Sequence, residues 1–288
     1  MTTQDTAATY RASSTLPLRV EFIRQLRRRR TLVAYGLVIA LPIMVSLAVK
    51  FGSNAENSGR RLGSGSLDLV GLATSGAANF TVTMFFFAAG FLLLVIVALF
   101  CGDTVASEAS WSSLRYLLAA PIPRRRLLKQ KLIVGLVLSL GAIATLPVVS
   151  FIIGLIAFGN GPLNSPLGVT FSPGEALWRI AAIGLYIFIS LLFAAGIAFL
   201  MSVLTDAPLG AVGAAVVLVI ISNVLNAIDA LGSLREWLPT HYSQAWIDLM
   251  SSDVDWTNMA RGASYSIVAC AIFVSIAVYR FDRKDIVS

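Results

Sequence analysis

From Leu132 to Phe158 the chain reads LIVGLVLSLGAIATLPVVSFIIGLIAF, and none of those side chains is charged. As a helix rising 1.5 Å per residue the run extends about 40 Å, enough to cross a hydrocarbon layer of about 30 Å with some tilt. In lipid the backbone must satisfy its own hydrogen bonds, so a run of this length predicts a transmembrane helix. Pro147 within it is tolerable where neighbouring helices compensate.

Working outward from this run, five more segments have the same character: about 32–51, 80–101, 176–204, 209–228 and 263–279. The four-residue connection Thr205-Asp206-Ala207-Pro208 forces the fourth and fifth spans to run antiparallel. Between the spans lie stretches with turn chemistry. Residues 52–79 are rich in Gly, Ser and Asn, and 159–175 hold Gly161-Pro162, Ser165-Pro166 and Ser172-Pro173-Gly174. Residues 229–262 place Trp237, Trp246 and Trp256 among acidic residues, as expected of a loop with short interfacial helices. The composition agrees: 57% of the 288 residues are hydrophobic, 13% are charged, and the mean hydropathy is +0.81. A soluble surface cannot be covered with so few polar groups. The fold class predicted is an all-α membrane protein with six transmembrane helices, one membrane domain over residues 16–288, and a disordered Thr- and Ala-rich tail over 1–15. About thirty mostly polar residues precede the first span, so no cleavable signal peptide is expected and that span serves as its own insertion signal.

The net charge of +7 raises nucleic acid as a partner, but the basic residues sit at the ends of apolar runs instead of on one soluble face. They read as topology determinants that also contact anionic lipid. With an inside N-terminus, 16 of the 22 Lys and Arg fall on the inner side, leaving Lys50, Arg60, Arg61, Arg179, Arg235 and Arg261 outside. The positive-inside rule then predicts a multi-pass plasma-membrane protein with both termini in the cytoplasm. Ahead of the first span, Leu18, Phe22 and Leu26 form a stripe followed by Arg27 to Arg30, which predicts an amphipathic helix lying on the inner leaflet.

Side chains for catalysis are sparse. The single histidine, His241, falls in an outer loop with no evident partner, and Asp103 and Asp206 stand at the inner ends of spans where they read as caps. Cys101 and Cys270 read as free buried thiols. No acid lies in mid-bilayer, which counts against ion-coupled carriage. A phosphate-binding loop needs Lys followed by Ser or Thr, yet Lys50, Lys129, Lys131 and Lys284 precede Phe, Gln, Leu and Asp. The expectation is therefore no catalytic, cofactor or metal site in this chain.

The inner loop from Asp103 to Lys131 is too long for a turn and is patterned. Trp111, Leu114 and Leu118 recur at helical spacing beside Glu108 and Arg115, and Pro121, Pro123 and a basic run end the element. An amphipathic helix over about 105–118, held between two spans, either lies passively on lipid or transmits the movement of a cytoplasmic partner. Glu108-Ala-Ser-Trp-Ser-Ser-Leu-Arg-Tyr-Leu-Leu-Ala-Ala-Pro121-Ile-Pro-Arg124-Arg-Arg-Leu-Leu-Lys129-Gln-Lys131 resembles the first cytoplasmic loop of the ABC-2 type permeases. The likeness extends to the six-span layout, the helix before the first span and the tight fourth-to-fifth turn. Where that family often has Gly-Thr or Gly-Ser after the Glu, this chain has Ser110-Trp111-Ser112-Ser113.

The resemblance implies the transmembrane subunit of an ATP-driven exporter, paired with a second copy or a paralogous permease and driven by separate cytoplasmic ATPase subunits that carry the ATP. It further implies that Glu108, Trp111, Leu114, Arg115 and Leu118 contact the ATPase. Phe85, Phe86 and Phe87 on the second span, with Asn223 and Asn226 on the fifth, are candidates for a path taken by a hydrophobic or amphipathic substrate. For any one of these residues, ordinary packing of the phenylalanines and interhelical hydrogen bonding of the asparagines is the favoured reading. A six-span channel, facilitator or ion-coupled carrier without an ATPase, or a membrane anchor subunit, remains the alternative.

Overall fold

The structure is a computed structural model that describes residues 18–52, 69–110, 124–165 and 168–283. The predicted tail at 1–15 lies outside these residues. Helix α1 spans Leu18–Leu26, and after a two-residue break α2 spans Arg29–Gly52 with Pro42 inside it. The break is braced by the Thr31 hydroxyl, which donates to the Gln25 carbonyl at 2.7 Å. Then follow α3 (Leu69–Thr74), α4 (Ala77–Ala89), α5 (Leu92–Ser110) and α6 (Arg124–Phe158). A two-residue antiparallel hairpin, β1 (Leu163–Asn164) and β2 (Thr170–Phe171), leads into α7 (Pro173–Ser190) and α8 (Leu192–Leu204). Helix α9 (Pro208–Asn226), a loop of short 3-10 turns and α10 (Trp256–Asp282) complete the chain.

Six segments are long and apolar enough to cross a membrane, in the order expected. The predicted second span starts earlier, at Ala77, and bends: α4 and α5 meet at Gly90-Phe91 while the backbone ladder continues through Val95 N–H to the Phe91 carbonyl, 2.9 Å. The fourth span bends in the same way at Leu191, whose carbonyl accepts from Ala195 N–H at 3.0 Å. Its start is fixed three residues upstream of the expected one by a capping box, in which Ser172 and Glu175 satisfy each other's backbone N–H groups. The last span opens at Trp256 and not at Ala263, because Asp255 caps it by accepting from Thr257 N–H at 2.8 Å.

The bent α4–α5 rod runs antiparallel along α6. At one end Phe80 and Phe158 pack with ring centroids 5.4 Å apart, and at the other Lys131 Nζ donates to the Thr104 carbonyl at 3.1 Å. At the Phe158 end Gly76 has φ 148°, and a Cβ there would stand 2.9 Å from Gly161 Cα, so glycine alone fits this crossing. Helix α8 sits in the centre between α5 and α10. A Cβ on Gly196 would come 2.9 Å from Cys270 Cα, the close approach that small residues permit between membrane helices. On α9 the small residues Ala211 and Ala215 are fully buried within the chain, and Val212 packs on Gly102.

The α5 and α7–α8 rods are mostly buried, whereas α2, α9 and α10 turn most of their apolar surface outward. Leu32, Met44, Leu209, Val217, Val268 and Ile272 are among the exposed residues. An apolar exterior around a packed interior suits hydrocarbon as the surrounding solvent.

Candidate functional site

Both described ends of the chain, α1 and the close of α10, meet the start of α6 at one end of the bundle, called here the basic end. Helix α1 lies with Leu18, Val20, Ile23 and Leu26 outward and exposed, while Glu21 and Gln25 are buried. The apolar stripe predicted for this helix thus faces out at Leu18 and Leu26, with Phe22 packed on the core. Its polar edge does the docking, which the sequence pattern did not foretell.

That edge meets a charged interior. On α5, Asp103, Thr104, Ser107 and Glu108 occupy one face at helical spacing and all are buried. Lys131 of α6, itself 1% exposed, pairs with Glu108 Oε1 at 2.6 Å and lies 3.6 Å from Glu21 Oε1. Arg24 bridges the two acids, at 2.7 Å to Glu21 and also in contact with Glu108. Gln25 Nε2 donates to Glu21 at 3.0 Å. Beside this group, Arg28 reaches Asp103 at 3.2 Å and the Ser107 hydroxyl at 3.1 Å, and Arg30 also pairs with Asp103. Three chain segments are thereby tied by charge-assisted hydrogen bonds, the stronger kind.

Burial acts to raise the Glu21 pKa, but the Lys131 ammonium and the hydrogen bonds from Arg24 and Gln25 outweigh it and hold the carboxyl below its ordinary value of 4.5. For Arg24 burial acts in the destabilising sense, and the two acids overcome it and strengthen the charged form. Glu21 and Arg24 are therefore both held in their charged forms at neutral pH. A more exposed pair, Arg125 to Asp282 at 2.8 Å, ties the start of α6 to the end of α10.

Two sequence expectations change here. Asp103 is not a cap, since α5 continues unbroken to Ser110, and its carboxylate serves Arg28 and Arg30. Glu108 was expected to face an ATPase, but its side chain is turned inward and 1% exposed, because Lys131 and Arg24 need its charge. Trp111, Leu114, Arg115 and Leu118 lie outside the described residues.

The aromatic and asparagine candidates separate. Successive helix positions point about 100° apart, so Phe85 is buried against Gly184, Phe86 packs on Trp246 with centroids 4.5 Å apart, and Phe87 is exposed. Asn223 lines a crevice near the end opposite the basic one, together with Phe86. Asn226 is engaged elsewhere: its Oδ1 lies 2.7 Å from Nδ1 of His241, the histidine for which no partner was evident in the sequence. At the same end Arg179, counted from sequence among the outer-side cations, is buried. It donates to the Ser251 carbonyl at 3.0 Å and to that of Leu249, with its guanidinium 3.9 Å from the centre of the Phe171 ring. No local motif marks that role, because its partners lie some seventy residues away.

These features define an all-α, multi-pass membrane protein with six spans, held at one end by a buried ionic junction. The chain belongs to the family described as "Protein of unknown function (DUF2705)", which matches residues 66–287, from just before α3 through the last span. Asp103, Glu108 and Lys131 fall within that match, and α1 and α2 precede it. No curated protein matches the chain.

Proposed function

We propose that this chain is the permease subunit of an ATP-driven exporter of the ABC-2 type, moving a hydrophobic or amphipathic substrate across the plasma membrane with the basic end in the cytoplasm. The observation that carries the reading is the tie between Glu108 and Lys131, which sit on the helices entering and leaving residues 111–123 and are clamped by Arg24 of α1. Force applied to that segment by a cytoplasmic partner would be delivered to α5 and α6 as one body. The patterned loop sequence supplies the partner surface, with Trp111, Leu114, Arg115 and Leu118 as contacts and Glu108 as the internal anchor behind them. ATP binding and hydrolysis belong to the separate partner subunit, and a second permease completes the assembly.

The test is affinity purification of the tagged chain from its native membranes in mild detergent, with identification of co-purifying proteins and an ATPase assay. An ABC ATPase in equal ratio, with vanadate-sensitive hydrolysis that Leu114→Ala separates from transport, supports the proposal. A chain that purifies alone in several gentle detergents overturns it in favour of a channel or facilitator.

A further inference from the structure

Near the end opposite the basic junction, the two bent rods do not close on each other. The bend at Gly90 and the bend at Leu191 face a common crevice of about 280 Å³, roofed by the loop between α9 and α10. Its depth is apolar, with Leu94, Leu191 and Phe193, and Trp246 closes one side while itself only 2% exposed. Its mouth is polar, with Asn223, Ser243 and Gln244. Those three side chains make no hydrogen bond to another described residue, whereas their neighbours Ser222 and Thr240 are paired with each other at 2.8 Å.

We infer that this crevice, within a single subunit, binds one small neutral amphipathic molecule, its hydrogen-bonding head at Asn223, Ser243 and Gln244 and its apolar part between the two helix bends. Neutrality follows from the lining, which contains no ionisable residue; a charge brought there would lose its hydration without an ion partner. Amphipathic character follows from the gradient from polar mouth to apolar depth. Size follows from the volume, at the lower edge of ligand pockets, which suits a single-chain molecule and not a two-chain lipid. A second cavity, between α6 and α7 around Pro147, Val148, Ile152 and Leu185, offers no polar group for a head and serves as the comparison.

Gly90 provides the decisive variant. It has ordinary helical torsions, φ −70° and ψ −34°, and a Cβ built on it meets nothing within 4 Å. Gly90→Leu should therefore fill the crevice without straining the backbone, and Gly90→Ala should fold at least as well as the parent.

The experiment uses the purified full-length chain in nanodiscs and a photoactivatable medium-chain monoacylglycerol, with its phosphate ester and an alkyltrimethylammonium of equal chain length as charged counterparts. Labelled peptides are identified by mass spectrometry. The neutral probe is expected to mark peptides containing Phe86 to Leu94 and Asn223 to Trp246, with competition by unlabelled monoacylglycerol. Gly90→Leu should abolish that labelling, and Asn223→Leu combined with Gln244→Leu should weaken apparent affinity about tenfold, the worth of two hydrogen bonds. Equal labelling by a charged counterpart, labelling indifferent to Gly90→Leu in protein that elutes as the parent does, or equal marking of Val148 and Ile152 would overturn the inference. No ATPase is present in the assay, so its outcome is separate from that of the exporter proposal.

Discussion

The buried junction at the basic end and the polar-mouthed crevice at the opposite end both interrupt an apolar bundle, and they are built on opposite terms. At the junction Glu21, Arg24, Glu108 and Lys131 are acids and bases packed within ion-pair distance of one another. At the crevice the groups are neutral, and Asn223, Ser243 and Gln244 have hydrogen-bonding capacity to spare. A buried ionic cluster fixes geometry, because displacement separates a buried group from its partner. Unspent neutral groups around a void fix nothing and leave room for a guest. The molecule thus keeps its rigid polar chemistry where the patterned 111–123 segment joins the bundle, and its receptive chemistry where the two bent rods part.

The comparison breaks most severely at Lys131. Replacing it by Met leaves Glu108 and Glu21 buried with Arg24 as the remaining cation, and should cost about 3 kcal/mol, the lower end for breaking a buried pair. Thermal unfolding of the detergent-purified protein measures this. Lys131→Met with Glu108→Leu should recover much of the loss, since an apolar pair of similar volume replaces an ionic one. A double variant no better than the sum of the singles would mean the two residues are not coupled.

A smaller effect is expected from acid. The Glu21 carboxyl is held below 4.5 in the folded chain, so the unfolded chain binds its proton first as the pH falls. The stabilisation from Glu21 is complete well above 4.5 and disappears as the pH drops through the depressed folded value. Glu21→Gln should already lack this contribution at neutral pH, and its melting temperature should fall less steeply on acidification than that of the parent. Parallel curves would place the proton uptake on other carboxylates.

The six spans were legible because an uncharged run longer than the bilayer is thick leaves a soluble fold nowhere to hide so much apolar surface. The bends at Gly90 and Leu191 were not, since each keeps the helical ladder and the apolar composition that mark a span. Asp103 was misread for a related reason: an acid at the end of an apolar run looks like a cap, and its true partners, Arg28 and Arg30, stand more than seventy residues away. The docking edge of α1 was hidden behind the more conspicuous apolar stripe, although Glu21, Arg24, Gln25 and Arg28 form an equally regular polar one. The capping box at Ser172 and Glu175 was missed as well, because Ser172-Pro173-Gly174 reads as a turn and hid the Ser-x-x-Glu spacing that starts the helix.

The smallest effect should come from Arg125 and Asp282, and it sharpens the comparison because the chemistry matches that of the junction while the surroundings do not. The pair is 2.8 Å apart, close to the 2.6 Å of Lys131 and Glu108, but the Arg125 side chain is 79% exposed whereas Lys131 is 1% exposed. Water already solvates both partners, salt screens them, and two mobile side chains must be ordered to meet. Arg125→Ala should therefore change stability by no more than about 0.5 kcal/mol, and less at high salt. Measured by thermal unfolding under the conditions used for Lys131→Met, a loss as large as that variant's would mean that the end of α10 is part of the rigid junction. A loss near zero would confine that junction to α1, α5 and α6, the elements that bracket the 111–123 segment.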